Sequence, residues 1–129
     1  MAGERILIVD DNPINLKLAQ VALRLDGYEV RAAGDAIEAR TVVYEFEPEL
    51  ILMDVQLPGI DGLELTRELK GDPHSHDICI VALTAYAMKG DQDRMLAAGC
   101  DGYVAKPIDT RALPDVVAGY LEHARKAFS

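Results

Sequence analysis

The chain has 129 residues, about half of them hydrophobic, which suits one globular domain with a core of its own. Its 22 acidic residues outnumber 13 basic ones, and the formal charge of −9 argues against binding to nucleic acid, which depends on Lys and Arg. The longest apolar run, Ile78–Leu83, is far too short to span a bilayer, and the N-terminus lacks a signal-peptide layout. We therefore expect a single cytoplasmic domain over residues 1–129 that does not contact a membrane.

Five short apolar runs alternate with five helical patterns. The runs, predicted as strands, are Ile6–Val9, Tyr28–Ala32, Leu50–Met53, Ile78–Leu83 and Gly102–Ala105. Their nearly continuous apolar character is typical of strands that are covered on both faces. The helical patterns run from Ile14 to Leu25, from beyond Asp35 to before Pro48, from near Asp61, from about Lys89 to Ala98, and from Thr110 to about Phe128.

Apolar residues at three- and four-residue spacing predict the apolar face of each helix. Asn12 is the expected N-cap of the first helix, and Pro13 suits its first position. Pro114 predicts a tight turn or a late start for the last helix. The predicted apolar faces are Ile14, Leu18, Val21 and Leu25; Ala36, Ala39, Val43 and Phe46; Leu63, Thr66 and Leu69; and Leu113, Val117, Tyr120 and Ala124.

This alternation predicts an α/β fold with a doubly wound, five-stranded parallel sheet flanked by five helices. Two cysteines are expected to be buried, reduced thiols, since their spacing matches no zinc site. The segment from Asp72 to Asp77 contains a His-x-His pair, but nothing nearby completes a ligand set, so we interpret it as a solvated loop.

Polar side chains follow four of the five predicted strands, at the point where each strand ends. The first strand runs into Asp10 and Asp11, the third into Asp54, the fourth into Thr84 and the fifth into Lys106. Because the carboxyl ends of parallel strands meet at one edge of a sheet, we expect these side chains to lie close together. Any one of the acids is explained as a turn or capping residue, but the set indicates a site.

Three carboxylates held together cannot all stay charged without a compensating cation. A few side-chain oxygens, with waters completing the shell, suit Mg²⁺. An aspartate carboxylate can attack phosphorus to form an aspartyl phosphate, and phosphoryl transfer needs mainly positioning and charge neutralisation. We therefore predict that Asp54 is the nucleophile and that Asp10 and Asp11 hold the metal. Thr84 and Lys106 are expected to contact the phosphoryl oxygens.

The stretches ILIVDDN, LILMDVQLPGIDG, IVALTA and GYVAKPI, spread over residues 6 to 108, resemble the receiver domains of two-component response regulators. The resemblance implies a flavodoxin-like fold. It implies that Asp54 accepts a phosphoryl group from a phosphohistidine on a histidine kinase or a histidine phosphotransfer protein. It also implies that Asp11, Asp54 and the backbone carbonyl of Gln56 ligate Mg²⁺, with Asp10 acting through water.

The resemblance further implies a conformational switch. Thr84 is expected to move towards the phosphate while Tyr103 turns inward, and a downstream partner binds the surface of the fourth helix, fifth strand and fifth helix. The Lys106–Pro107 bond resembles the cis peptide of this family. Gln56 and Tyr86 occupy positions that tune hydrolysis of the acyl phosphate, and a bulky Tyr86 predicts slow loss of the phosphoryl group.

Two other functions stay open on the sequence. One is a receiver-like binding module that is never phosphorylated. The other is a Mg²⁺-dependent phosphatase with an aspartate nucleophile, but such enzymes need an acid/base Asp where this chain has Gln56, and they usually carry a cap insertion. We therefore do not expect turnover of small phosphate esters. Both a single-domain regulator and a receiver from a hybrid kinase fit the sequence.

Overall fold

The computed structural model describes residues 3–85 and 88–127, in which strands and helices alternate as predicted. The predicted strand bounds hold to within one residue. The strands are β1 Arg5–Val9, β2 Glu29–Ala33, β3 Leu50–Asp54, β4 Cys79–Thr84 and β5 Gly102–Ala105. The helices are α1 Pro13–Leu25, α2 Ala36–Phe46, α3 Gly62–Lys70, α4 Lys89–Ala98 and α5 Leu113–Ala127.

The five strands form one parallel sheet in the order β2-β1-β3-β4-β5. In the register of the centre of the sheet, Ile8 of β1 lies between Ala32 of β2 and Leu52 of β3. The chain moves outward from β1 to β2 and then crosses back to β3, so the strand order reverses between β1 and β3. The carboxyl ends of these two neighbouring strands therefore flank the position where open α/β sheets bind ligands. The predicted doubly wound fold is confirmed.

The sheet has a hydrophobic cluster on each face. Leu7 and Val9 of β1 face one cluster, which is completed by α2, α3 and α4. Ile6 and Ile8 face the other, which is completed by α1 and α5. The four side chains from Ile6 to Val9 are almost fully buried on the two faces of the sheet, which explains why this part of β1 is entirely apolar.

Side-chain caps fix the starts of three helices. Asn12 Oδ1 accepts the backbone N–H groups of Ile14 (2.9 Å) and Asn15 (3.2 Å) at the start of α1, with Pro13 in the first helical position. Asp35 and Asp61 act likewise for α2 and α3. At α4 the capping position is taken by Met88, which makes no side-chain capping bond. The start of α4 is therefore held less firmly than those of the other three.

The predicted apolar face of α1 does not lie in the core. Its four members have large exposed fractions: Ile14 69%, Leu18 53%, Val21 49% and Leu25 84%. Ala19 and Leu23 are the buried residues of this helix. The prediction was wrong because α1 carries apolar residues on two faces, and the sheet covers the other one. The faces predicted for α2, α3 and α5 do pack against the sheet.

The last helix begins late, as Pro114 predicts. Residues 110–112 form a turn in which the Asp109 carbonyl accepts the N–H groups of Ala112 (3.1 Å) and Leu113 (3.0 Å). Helix α5 then starts at Leu113, which places Pro114 in its first turn, where the missing N–H does no harm. Within the described residues, no helix is both long enough and apolar enough to cross a membrane.

Both cysteines are buried free thiols, as predicted. Burial raises the pKa of the Cys79 thiol to about 12, and it raises that of Cys100 as well. In the histidine-containing loop, the His74 ring stacks on Tyr44 at 4.6 Å and His76 contacts Asp77 at 2.8 Å. Among the described residues, neither histidine belongs to a group of three side chains that could hold a metal ion.

Candidate functional site: an acidic cluster at the sheet edge

Three carboxylates meet where the strand order reverses. Asp10 and Asp11 follow β1, and Asp54 is the last residue of β3. One oxygen of each lies within 4.8 Å of the others. Asp10 and Asp54 are buried, with exposed fractions of 0% and 3%, whereas Asp11 is exposed. The cluster thus has a buried floor and one acid at the solvent boundary.

Backbone amides orient the two buried carboxylates. Asp10 Oδ1 accepts the N–H of Asn12 at 2.9 Å, and its Oδ2 accepts the side-chain amide of Asn15 at 3.4 Å. Asp54 Oδ1 accepts the N–H of Gln56 at 2.9 Å. These hydrogen bonds fix the orientation of both carboxylates at the edge of the sheet, and each carboxylate still has an oxygen that faces the cluster.

The position of Gly62, which packs against the backbone of Asp54, requires a glycine. The start of α3 passes so close to β3 that a Cβ on Gly62 would collide with the backbone carbonyl of Asp54. The N–H of Gly62 donates to the carbonyl of Val55 at 2.9 Å, which ties the helix to the end of the strand. Any larger residue at this position would displace the backbone that carries the Asp54 side chain.

Lys106 supplies the positive charge nearest to the buried acids. Its Nζ lies 3.0 Å from Asp54 Oδ2 and 3.5 Å from Asp10 Oδ2. Its backbone N–H donates to the carbonyl of Thr84 at 2.8 Å, which fixes the end of β5 against β4. The Lys106–Pro107 peptide bond is cis. One ammonium group faces three carboxylates, so the site keeps an excess of negative charge.

Burial and charge shift the pKa values of Asp54 and Lys106 for different reasons. Burial raises the pKa of the Asp54 carboxyl, and the Gln56 N–H and Lys106 only partly offset this effect. Burial also opposes charging of Lys106, but its hydrogen bond to Asp54 and the charges of Asp54 and Asp10 outweigh burial, so the pKa of Lys106 is raised. The site therefore holds a stable cation beside a carboxylate that is costly to ionise without further positive charge.

A cavity of about 90 Å³ opens beside Asp54. Thr84, which is buried at the end of β4, and Lys106 line it together with Asp54. Its opposite wall is formed by α4, including Asp91 and Arg94. A cavity of this size holds several waters, and it leaves room for a group of phosphoryl size on the Asp54 carboxylate.

The acidic cluster fits a hard divalent cation. Its donors are carboxylate oxygens, two of them on buried side chains, and their negative charge exceeds what Lys106 compensates. Oxygen-only donor sets of this kind suit Mg²⁺ or a similar ion better than a soft transition metal. Asp10, Asp11 and Asp54 are the described residues that would hold it.

The remaining predicted site residues lie around this centre. Gln56 is exposed and contributes its N–H to Asp54. Tyr103 on β5 is 37% exposed, and its carbonyl accepts the hydroxyl of Tyr120 at 3.3 Å. Its side chain is therefore partly outside the core in this structure. Tyr86 lies outside the described residues.

Sequence reasoning missed four residues at the site. Asn15 lies one helical turn beyond Asn12, a spacing that could have indicated its approach to Asp10. Gly62 opens α3, and its sequence neighbours do not signal that it packs against the Asp54 backbone. Asp91 and Arg94 reach the cavity only because α4 packs beside β4 and β5, and no local motif signals that approach.

Comparison with known proteins identifies the family of this chain. The family model "Response regulator receiver domain" matches residues 6–118. The polar-differentiation response regulator DivK of Brucella anthropi is 40% identical over 119 residues, which cover 92% of this chain and 97% of that protein.

Solved structures with the same fold include a CheY-like response regulator receiver domain protein from Methanospirillum hungatei, with a TM-score of 0.88 and 30% identity over 98% of this chain and 99% of that one. Another is the signal receiver domain of a signal transduction histidine kinase from Syntrophus aciditrophicus, with a TM-score of 0.83 and 32% identity over 93% and 91% of the two chains. The chain therefore belongs to the receiver domain family of response regulators, whose members interact with histidine kinases and downstream targets in two-component signalling.

Proposed function

We propose that this domain accepts a phosphoryl group on Asp54 from a phosphohistidine of a histidine kinase or a histidine phosphotransfer protein. The observation that carries the proposal is the position of the Asp54 carboxylate. It is buried at the point of strand reversal, 3.0 Å from Lys106, beside two further acids and an open cavity. In the transfer, a carboxylate oxygen forms a bond to phosphorus while the N–P bond of the donor breaks, and the donor imidazole takes up a proton.

Each neighbouring side chain has one task in this reaction. Lys106 neutralises a phosphoryl oxygen, and the Thr84 hydroxyl donates to another. Asp10, Asp11 and the backbone carbonyl of Gln56 complete the ion site with Asp54. Bound Mg²⁺ supplies the additional positive charge that the reacting oxygens need. Gln56 and Tyr86 set how fast water reaches the acyl phosphate, and Tyr86 is proposed to slow its hydrolysis.

Phosphorylation is proposed to act on a partner-binding surface. Thr84 and Tyr103 are the switch residues, and the surface comprises α4, β5 and α5. The partly exposed side chain of Tyr103 supports this assignment, because an aromatic ring at the surface can move inward when space opens. The downstream target is a protein, and phosphorylation changes its affinity for this surface.

The donor protein needs a docking surface next to Asp54, and α1 offers one. Ile14, Leu18 and Val21 line an open apolar groove that reaches Thr110 and Arg111 in the turn before α5. We propose that an apolar face of a phosphohistidine-bearing protein covers it, because the groove starts at Pro13, directly beside the acidic cluster. An Ile14→Glu or Leu18→Glu variant should then accept phosphoryl groups normally from acetyl phosphate but slowly from such a protein. Equal rates from both donors would contradict this docking site.

The proposed reaction is tested by incubating the protein with Mg²⁺ and acetyl phosphate and measuring its intact mass. The wild type should gain the mass of one phosphoryl group, and Asp54→Asn should gain none. A wild type that stays unmodified favours the alternative of a phosphorylation-independent binding module. Steady release of phosphate from a small phosphomonoester would instead favour an Asp-nucleophile phosphatase. A single domain over residues 1–129 and a cytoplasmic location belong to this proposal, and cell fractionation tests the location.

A further inference from the structure

A cationic side chain on α4, Arg94, faces the cavity beside Asp54. The cavity is lined by two cationic side chains, Lys106 and Arg94. Lys106 is already engaged with Asp54 and Asp10. Arg94 is exposed, and its side chain forms no ion pair or hydrogen bond with the described part of the chain. Its guanidinium group is therefore available to a new anion in this cavity.

Phosphorylation of Asp54 would create that anion. A carboxylate with one negative charge becomes an acyl phosphate with about two, and three oxygens project into the cavity. Asp91, one turn earlier on α4, lines the same cavity and adds negative charge. A guanidinium group binds phosphoryl oxygens through two parallel N–H donors, which makes arginine better suited than lysine to this contact.

Helix α4 lines the cavity and has few buried contacts that hold it. Met95 and Ala98 are its only buried residues among those described, and its N-cap residue Met88 makes no side-chain capping bond. Leu96 on the same helix is 63% exposed. A helix with so few anchors opens locally at low free energy, so one added charge-assisted contact changes its stability measurably.

We propose that Arg94 is a positioning residue that binds the phosphoryl group on Asp54 and thereby fastens α4 to the phosphorylated site. This inference rests on the proposed phosphorylation of Asp54, and it adds the physical link between the acceptor and the partner-binding surface. In the unphosphorylated state Arg94 stays in solvent and α4 remains loosely held.

Amide hydrogen exchange of residues 89–98, measured by mass spectrometry, tests the link. Acetyl phosphate and Mg²⁺ are kept in the exchange buffer, and intact mass gives the phosphorylated fraction of each variant. Phosphorylation should slow exchange in α4 of the wild type by roughly fivefold. Arg94→Gln should reduce that slowing to less than about twofold, whereas Arg94→Lys should retain part of it. Lys89→Gln removes a cation from the same helix outside the cavity, so it should behave as the wild type.

The outcomes separate this inference from the proposed function. A phosphorylated Arg94→Gln protein that slows exchange in α4 as much as the wild type would overturn the role of Arg94 alone. So would a phosphorylated wild type whose α4 exchanges no more slowly than before. A wild type that gains no mass would overturn the proposed phosphorylation of Asp54, and the role of Arg94 with it. Asp54→Asn in the same buffer controls for effects of acetyl phosphate itself.

Discussion

Replacing Asp11 by Asn should stabilise the metal-free protein. Carboxylate oxygens of Asp10, Asp11 and Asp54 lie within 4.8 Å of one another, and at an effective dielectric of about 20 two charges at that distance repel by about 3.5 kcal/mol. Asp11 is exposed, so solvent screens most of this repulsion. We expect a net gain of about 1 kcal/mol in the free energy of unfolding, or about 4 °C in Tm. The substitution keeps the size of the side chain.

Magnesium should reverse which of the two proteins, the wild type or Asp11→Asn, is the more stable. At a Mg²⁺ concentration about twenty times the dissociation constant, binding stabilises the folded wild type by about 1.8 kcal/mol. Asp11→Asn has lost one proposed ligand and should gain much less. The variant is therefore more stable than the wild type in EDTA and less stable in saturating Mg²⁺. Urea unfolding followed by circular dichroism measures the free energy of unfolding of both proteins under both conditions. Circular dichroism suits this chain because it has no tryptophan.

Asp93→Asn is the matched control, because Asp93 is an exposed acid on α4 outside the cluster. It removes the same charge from a protein whose net charge is −9, so it accounts for any general effect of acidity. It should change stability little, with or without Mg²⁺. An Asp11→Asn protein that is less stable than the wild type in EDTA would contradict the repulsion, and an equal gain of both proteins from Mg²⁺ would contradict the ligand role of Asp11.

Two further predictions concern packing and burial. Gly62→Ala should destabilise the protein by about 3 kcal/mol and impair phosphorylation, because the added Cβ meets the Asp54 carbonyl. Gly90 has open space around it, so the control Gly90→Ala should change stability by less than about 1 kcal/mol. The same urea titration measures both variants. Cys79 should resist alkylation at pH 8 in the native state, and stability should fall as pH rises from 9.0 towards 12, since ionisation of the buried thiol favours unfolding. Rapid native labelling of Cys79 would contradict its burial.

The order of elements and the meeting of the acids could be predicted because both follow from local patterns. Apolar runs and helical spacing define alternating elements, and a parallel sheet necessarily brings its carboxyl ends to one edge. Asp10 and Asp54 are neighbours because β1 pairs with β3. The cap at Asn12 was predicted for the same reason, since a capping bond spans only two or three residues.

Contacts that depend on tertiary packing could not be predicted from the sequence. Spacing tells which residues of α1 share a face, but not which face meets the sheet, and Leu23 is buried while Leu25 is exposed. The approach of Arg94 to the acceptor cavity depends on how α4 rests beside β4 and β5, which no pattern within α4 encodes. The pairing of Glu4 with Arg125 at 2.8 Å likewise joins the two ends of the chain without a local signal.

The central claim is that one particular carboxylate, on Asp54, carries a transient phosphoryl group. The most direct measurement treats the protein with Mg²⁺ and acetyl phosphate, reduces the acyl phosphate with borohydride, and maps the resulting homoserine by peptide mass spectrometry. Homoserine is expected at position 54, and none at Asp10 or Asp11. Reduction at either of those two acids instead, or no reduced aspartate in a treated sample, would contradict it.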